Sequence, residues 1–285
     1  MEITAELVGR LVAAQFPQWA RLPVASVARP GVDNATFRLG DDKLVRLPAF
    51  ERWIGQVERE QRWLPRLGPL LPLAVPVPLG EGEPGEGYPF PWSIYEWLPG
   101  DRADIDELAD PHRTAIELAE FLLALQAIDA SAGPPPEWSN GFRGVDLADR
   151  RDSPVVESRM RARIAQLEAP ALRDGATAVW EAALEAPVWD RPPVWIHGDP
   201  CTGNILAEDG RLSAVIDFGT LAVGDPACDL IAAWGFLNAG TRHLFRDKLQ
   251  VDDATWARGR GWGLTSVLHS PTALAELIAD HELVG

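Results

Sequence analysis

Residues 203–208 (GNILAE) and 211–216 (RLSAVI) are two apolar-rich runs joined by Asp209-Gly210. An Asp-Gly pair between two such runs is the strongest short-range signal for a two-residue type I′ hairpin, whose central residues both need positive φ. A turn centred there pairs Glu208 with Arg211, so that Asn204 faces Val215 and Asp217 faces Thr202, unless a bulge shifts the register by one. Either register delivers Asn204 and Asp217 to the open end of the hairpin. Upstream, Val194 to His197 reads as a short strand that leaves Asp199 in a loop beside the same end. Three oxygen-bearing side chains converge on one place.

Hard cations account for that convergence. Mg²⁺ takes one or two protein oxygen ligands and completes its shell with phosphate oxygens and water, so Asn204 and Asp217 suit a metal-nucleotide site and Asp199 is left to meet a hydroxyl. The spacing supports this: His197-Gly198-Asp199-x-x-x-x-Asn204 matches H-x-D-x-x-x-x-N, and Asp217-Phe218-Gly219 matches D-F-G. Two motifs in the right order, bridged by a hairpin, are hard to explain as turn-capping residues alone. His197 reads as a packed, hydrogen-bonded orienter rather than a base.

With IHGDPCTGNIL as a catalytic loop and AVIDFGTLAVGDPACDL as a metal motif followed by G-D-P-x-x-D-L, the sequence resembles the aminoglycoside and macrolide phosphotransferase family over essentially its whole length. The resemblance implies an α+β, two-lobed protein-kinase-like fold: a small antiparallel-sheet N-lobe over 1–95 that binds nucleotide, a hinge at 96–100, and a mostly helical C-lobe over 101–285. It implies that Asp199, Asn204 and Asp217 are catalytic, that Asn204 and Asp217 hold Mg²⁺, and that ATP or GTP is the donor. Arg46 in KLVRLP stands where kinases usually carry the phosphate-binding lysine, and Glu60 stands at the glutamate that orients it. An ordinary ion pair is the other reading of those two residues. RPGVDNATFRLG lacks G-x-G-x-x-G, so backbone amides near Asn34 would cradle the phosphates, and Glu96 and Leu98 in the hinge complete the expected nucleotide contacts. Many relatives carry Leu-His after the catalytic aspartate, where this chain has Pro200-Cys201, a difference that bears on the acceptor side.

Only TLAV separates Gly219 from GDPACDL, which leaves no room for the activation segment on which protein kinases dock peptides. A small-molecule acceptor follows. Asp225 and Asp229 read as loop and capping residues that brace the site. The expected function is transfer of a γ-phosphate to a hydroxyl of an antibiotic such as an aminoglycoside or macrolide. The alternatives are a metabolic kinase acting on a choline-like, sugar or amino-alcohol substrate, and a catalytically weak nucleotide-binding module.

A net charge of −16 argues against nucleic acid, whose phosphates demand a basic footprint, and leaves room for a cationic acceptor. The run DRADIDELAD (Asp101, Asp104, Asp106, Glu107, Asp110) is a candidate for meeting it, with Trp97, Trp138, Trp234 and Trp262 as candidate walls. The first sixteen residues form an amphipathic helical pattern unlike a signal peptide, and the most apolar run, LGPLLPLAVPVPLG, is proline-broken and too short to span a bilayer, so a cytoplasmic protein is expected. The two cysteines, Cys201 and Cys228, have neither disulfide-framework nor metal-ligand spacing. Along the chain, 24–29, 35–40 and 43–47 alternate as strands, 51–67 and 111–129 show helical periodicity, and SIYEWL reads as a further strand.

Overall fold

A computed structural model describes residues 2–27, 33–148 and 154–282. A five-stranded antiparallel sheet occupies the N-terminal part, built from β1 (Val24–Ser26), β2 (Asn34–Leu39), β3 (Lys43–Pro48), β4 (Pro78–Gly82) and β5 (Trp92–Glu96) in the order β1-β2-β3-β5-β4. Helix α1 (Ala5–Gln15) starts at Thr4, whose hydroxyl accepts from the Leu7 amide at 3.3 Å, and buries Leu7, Val8, Leu11 and Val12. These side chains share an apolar cluster with Phe37, Leu39, Val45, Leu47, Trp92 and Ile94 of the sheet. The strand expected over 24–29 ends at Ser26, and residues 28–32, including Gly31 and Val32 of the expected turn, lie outside the described residues.

Strand β4 has no expectation behind it, because PLGEG carries the residues most depleted in strands. It is tolerated at the sheet edge, where Pro78 stands first in the strand opposite Tyr95 and the register with β5 shifts between Pro78 and Gly80. Helix α2 (Ile54–Leu67) follows a short 3-10 turn over Glu51–Trp53. Its Trp63, Leu64 and Leu67 do not join the sheet's own core. They pack with Val75 and Tyr95 into the larger cluster that continues through the helical part of the chain. Nearer its N-terminus the same broad face of α2 buries Gln56, Arg59 and Glu60, three polar residues at helical spacing.

The remaining chain is largely helical, with α3 (Pro111–Gln126), α4 (Pro154–Ala165), α5 (Pro170–Glu185), a short α6 (Ala232–Gly235), α7 (Ala239–Leu249), α8 (Asp253–Val267) and α9 (Pro271–Glu282). Helix α3 begins as the sequence requires: Asp110 caps it by accepting from the Arg113 amide at 3.0 Å, and Pro111 occupies the first turn. Set into this helical body are β6 (Asp101–Arg102), β7 (Val194–Ile196), β8 (Ile205–Glu208), β9 (Arg211–Val215) and β10 (Ala222–Gly224); β6 pairs with β8, and β7 with β10. No described helix is long and apolar enough to cross a membrane.

The β8–β9 hairpin turns at Asp209 (φ 50°) and Gly210 (φ 74°), both positive as a type I′ turn demands. Next to the turn the register is the expected one, Glu208 with Arg211. A bulge then intervenes between the Leu206 and Ala207 pairs, so that Ile205 meets Val215. Asn204 therefore faces Ile216, whose amide donates to the Asn204 carbonyl at 2.8 Å, and not Val215. The extra residue advances Asp217 by one position towards Asn204. A β-carbon on Gly210 would meet Ala109 at 3.2 Å in addition to the strain of positive φ. Gly210→Val is expected to destabilise the fold by about 1–3 kcal/mol, read as a lowered midpoint in urea unfolding with an unchanged slope.

Candidate active site

The loop after β7 is held by its backbone. The Asp229 carboxylate, fully buried, accepts from the amides of His197 (3.0 Å) and Gly198 (2.6 Å), while burial pushes this carboxyl up to about 7. Thr220 Oγ1 donates to the His197 carbonyl at 2.8 Å. The His197 ring lies edge-on to Phe218 with 4.6 Å between centroids. Its Nδ1 accepts the Asp199 amide at 3.1 Å, which leaves Nε2 to donate to the Ile216 carbonyl at 3.0 Å. With both nitrogens so engaged the imidazole is neutral, in line with the downward push of burial on its pKa. His197 thus joins the loop carrying Asp199 to the strand end carrying Asp217. Asp225 braces the next segment, accepting from the Ala227 amide at 3.0 Å and from Arg258 Nε at 2.8 Å.

Asp199 itself is met by two groups. Asn204 Nδ2 donates to its carbonyl at 2.9 Å and approaches its Oδ2 at 3.3 Å, and Arg143 Nη2 stands 3.4 Å from its Oδ1. Cys201 lies in the same loop, its thiol pushed up to about 12 by burial, and is no nucleophile.

From the sheet, β3 brings Arg46 to the same point. Its Nη1 donates to both Glu60 oxygens at 2.8 and 3.1 Å, and its Nη2 donates to Asp217 Oδ1. The Asn34 amide completes the cage when its oxygen faces the guanidinium, accepting from Nε at 3.1 Å and Nη2 at 3.0 Å. Tyr95 donates its hydroxyl to Glu60 at 2.5 Å. Burial opposes every charge here, but the paired carboxylates hold Arg46 firmly protonated, and the guanidinium holds Asp217 below the usual carboxylate range. Helix α2 is fastened to the Asp217 segment a second time, through Arg59 Nη1 and the Gly219 carbonyl at 2.6 Å. A β-carbon on Gly219 would lie 2.5 Å from the Gln56 side chain, so glycine is what lets α2 come this close.

The donor set suits a hard cation. Asn204 spends its amide nitrogen on Asp199, which leaves its oxygen as a ligand, and the Asp217 side chain keeps 36% exposure on the wall of the adjoining cavity. Among the described residues no three His, Cys, Asp or Glu side chains gather into an all-protein cage. One or two protein oxygens with the rest from phosphate and water is how Mg²⁺ is usually held.

Of the remaining expected residues, Glu96 and Leu98 stand apart from this cage. Arg46 pairs with Ser93 and Lys43 with Glu96, so Glu96 lies three residues along the ladder, about 10 Å away. The Glu96 amide bonds the Val77 carbonyl at 2.9 Å and its side chain is exposed, while Leu98 is half-buried. The acidic run does not reach the cavity, among whose lining none of its five residues occurs. Its members are used in local structure: Asp104 accepts from the Asp106 amide, Asp106 from Asn238 Nδ2, and Asp110 caps α3. Trp138 and Trp262 line the cavity; Trp97 instead stacks under Arg38 at 3.8 Å, and Trp234 packs against Trp256 at 4.9 Å. The residues that sequence reasoning missed are Arg59, Arg143, Thr220 and the cavity arginines of α4. For the last, Arg159 and Arg163 stand at helical i,i+4 spacing beside Val156 and Met160, a legible basic face.

Comparison with known proteins follows the same lines. The model of the phosphotransferase enzyme family matches residues 24–262. None of the curated proteins compared matches the sequence. Among solved structures, the aminoglycoside phosphotransferase APH(2")-IIia in complex with GDP and kanamycin is similar at 21% identity and a TM-score of 0.72, over 96% of this chain and 97% of that one. The ADP-bound aminoglycoside phosphotransferase APH(2'')-Ib gives 17% identity and 0.61 over 97% of each chain. A macrolide 2'-phosphotransferase from Brachybacterium faecium, as the apoenzyme, gives 23% identity and 0.60 over 96% and 97%. At these identities the likeness establishes the two-part, kinase-like fold, with its antiparallel sheet followed by helices.

Removing the guanidinium leaves Glu60 buried and Asp217 unpaired. Arg46→Ala is therefore expected to lower the thermal midpoint and to weaken nucleotide binding at least tenfold, whereas Arg46→Lys restores a point charge but only one of the two carboxylate contacts and recovers part of both. Calorimetric nucleotide titration beside thermal unfolding reads the two effects; unchanged nucleotide affinity in Arg46→Ala would reduce Arg46 to an ion-pair partner.

Proposed function

The chain belongs to the phosphotransferase enzyme family and is a phosphotransferase, and we propose that it moves the γ-phosphoryl group of ATP or GTP to a hydroxyl of a small molecule. The observation that carries this is the meeting of Asp199, Asn204 and Asp217 with the Arg46–Glu60 pair at one end of the β8–β9 hairpin. In this reading residues 1–95 form the nucleotide lobe, 96–100 the hinge and 101–285 the acceptor lobe. Glu96 and Leu98 take the base, and the ladder distance of about 10 Å between Glu96 and Arg46 leaves room for the sugar and first phosphate. Asn34 acts through Arg46 by holding its guanidinium, and Glu60 does the same from α2.

Asp199 orients the acceptor hydroxyl and takes its proton as the new O–Pγ bond forms; the bond from Pγ to the bridging oxygen breaks, and its electron pair leaves with the nucleoside diphosphate. Asn204 keeps Asp199 in place through its amide nitrogen and offers its oxygen, with Asp217, as the ligands for Mg²⁺. Bound there, Mg²⁺ would neutralise charge on the transferred group and the departing phosphate. Arg46 draws the donor phosphates to the same side, and positioning with charge neutralisation supplies most of the acceleration.

Kanamycin is bound by one similar enzyme and a macrolide gives another its name, which makes an antibiotic hydroxyl one acceptor class to test. A metabolite is the second reading, and it is favoured by a specific observation, the arginines around the cavity beside Asp199.

The two aspartates have separable jobs. Asp217→Ala should abolish turnover and make nucleotide binding largely insensitive to Mg²⁺. Asp199→Ala should leave Mg-dependent binding intact while turnover falls by about 10²–10⁴-fold. Calorimetry with and without Mg²⁺, alongside steady-state rates, measures both on each variant; full activity in Asp199→Ala would overturn the mechanism.

A further inference from the structure

Beside Asp199 and Asp217 opens a cavity of about 350 Å³, near the lower end of the roughly 300–1,000 Å³ usual for small-molecule sites. Among the described residues four arginines line it, Arg52, Arg143, Arg159 and Arg163, in a protein of net charge −16. Facing them are Asp33, Asp199 and Asp217, of which Asp217 pairs with Arg46 and Asp199 with Arg143 at 3.4 Å. Arg143 and Arg163 meet on one residue of α8: Arg143 Nη1 donates to Thr265 Oγ1 and Arg163 Nη2 to the Thr265 carbonyl, both at 3.2 Å. Two cations so placed repel, and partial burial together with Arg143 pushes the Arg163 pKa down. Among the described residues neither Arg159 nor Arg163 has a carboxylate within ion-pair distance.

The arginines are also held in place. Arg52 lies over Trp53 at 4.0 Å, Arg159 over Trp138 at 4.5 Å and Arg143 over Trp262 at 5.1 Å. Stacking uses a guanidinium's face and leaves its N–H rim free, the edge that grips a carboxylate or phosphate in two places. The Arg159 and Arg163 side of this wall disfavours a polycation and offers an oxyanion two guanidinium groups that have no carboxylate of their own among the described residues. Among the described residues the lining includes neither Glu96 nor Leu98, so the cavity lies off the expected base site, and it takes in both Asp217 and Asp199, the group expected to meet the acceptor.

Resting on the phosphotransfer reading above, we propose that the acceptor carries an oxyanion, a phosphate or a carboxylate, as well as its hydroxyl. Arg143 and Arg163, joined at Thr265, bind that group, Arg159 closes on it from the cavity rim, and the hydroxyl is thereby presented to Asp199. A small anionic hydroxyl compound fits this site, and an aminoglycoside does not.

The test is calorimetry on the full chain saturated with Mg-nucleoside diphosphate, with inorganic phosphate, acetate and kanamycin as separate probes. Phosphate or acetate should bind, more weakly as salt rises, and at least tenfold more weakly to the Arg159→Gln/Arg163→Gln double variant, both of whose sites are exposed enough to spare the fold. The stronger of the two probes identifies the anion, phosphate or carboxylate. In turnover assays, hydroxyl compounds bearing that anion should outperform their uncharged counterparts, the difference lying in KM and shrinking in the double variant. Absence of anion binding at millimolar concentration, anion binding indifferent to the double substitution, or preferential binding of kanamycin would each overturn the proposal. Failure of the unsubstituted chain to bind Mg-nucleotide would overturn the phosphotransfer reading itself, and it is a separate titration.

Discussion

The guanidinium of Arg46 is the contact on which the site depends. It sits at 13% exposure between Glu60 of α2 and Asp217 at the end of the hairpin, with Asn34 of β2 against its third edge. Two neighbouring elements, β2 and α2, and one far away in sequence, the end of the hairpin, are thereby brought to a common point by one planar cation. A lysine on the same strand could satisfy one carboxylate at a time; the fork satisfies both, and in a buried setting an unmatched carboxylate would cost about 3–5 kcal/mol. In the proposed reading the same guanidinium is the permanent positive charge that meets a donor's phosphates.

Around that point the backbone is fixed with little freedom. Asp229 binds two successive amides of the catalytic loop, Thr220 binds the carbonyl between them, and His197 spans from the loop to the Ile216 carbonyl. Arg59 adds a link from α2 to Gly219. Groups that react with a bound hydroxyl need placement within a fraction of an ångström. Here placement comes from buried hydrogen bonds to the main chain, which leave the Asp199 and Asp217 side chains partly open to the cavity.

Charge is distributed against the average of the molecule. The surplus of acid lies in caps, turns and surface pairs, as the run over 101–110 illustrates, and the cavity next to the reacting groups carries the arginines. A net charge describes long-range steering and solubility; it does not describe a pocket whose walls come from several separate segments.

Much of the fold and the core of the site were legible in the sequence. Local chemistry determined the Asp209-Gly210 turn and the Asp110-Pro111 helix start, because each depends on residues within a few positions of one another, and the motif spacing pointed to Asp199, Asn204 and Asp217, which the hairpin brings to one end. Arg46 and Glu60 could be named through their place on a strand and a helix. The β-bulge that moves Asn204 opposite Ile216, the edge strand β4 and the passage of Trp63, Leu64 and Leu67 into the larger core were decided by packing, which no local pattern records. So was the character of the acceptor side. Read along the chain, Arg159 and Arg163 show only as a basic helix face and Arg52 and Arg143 as isolated arginines, and only the folding of α4 and α8 against the loop that carries Asp199 makes them the walls of one cavity, since proximity across a hundred residues is a property of the tertiary structure alone.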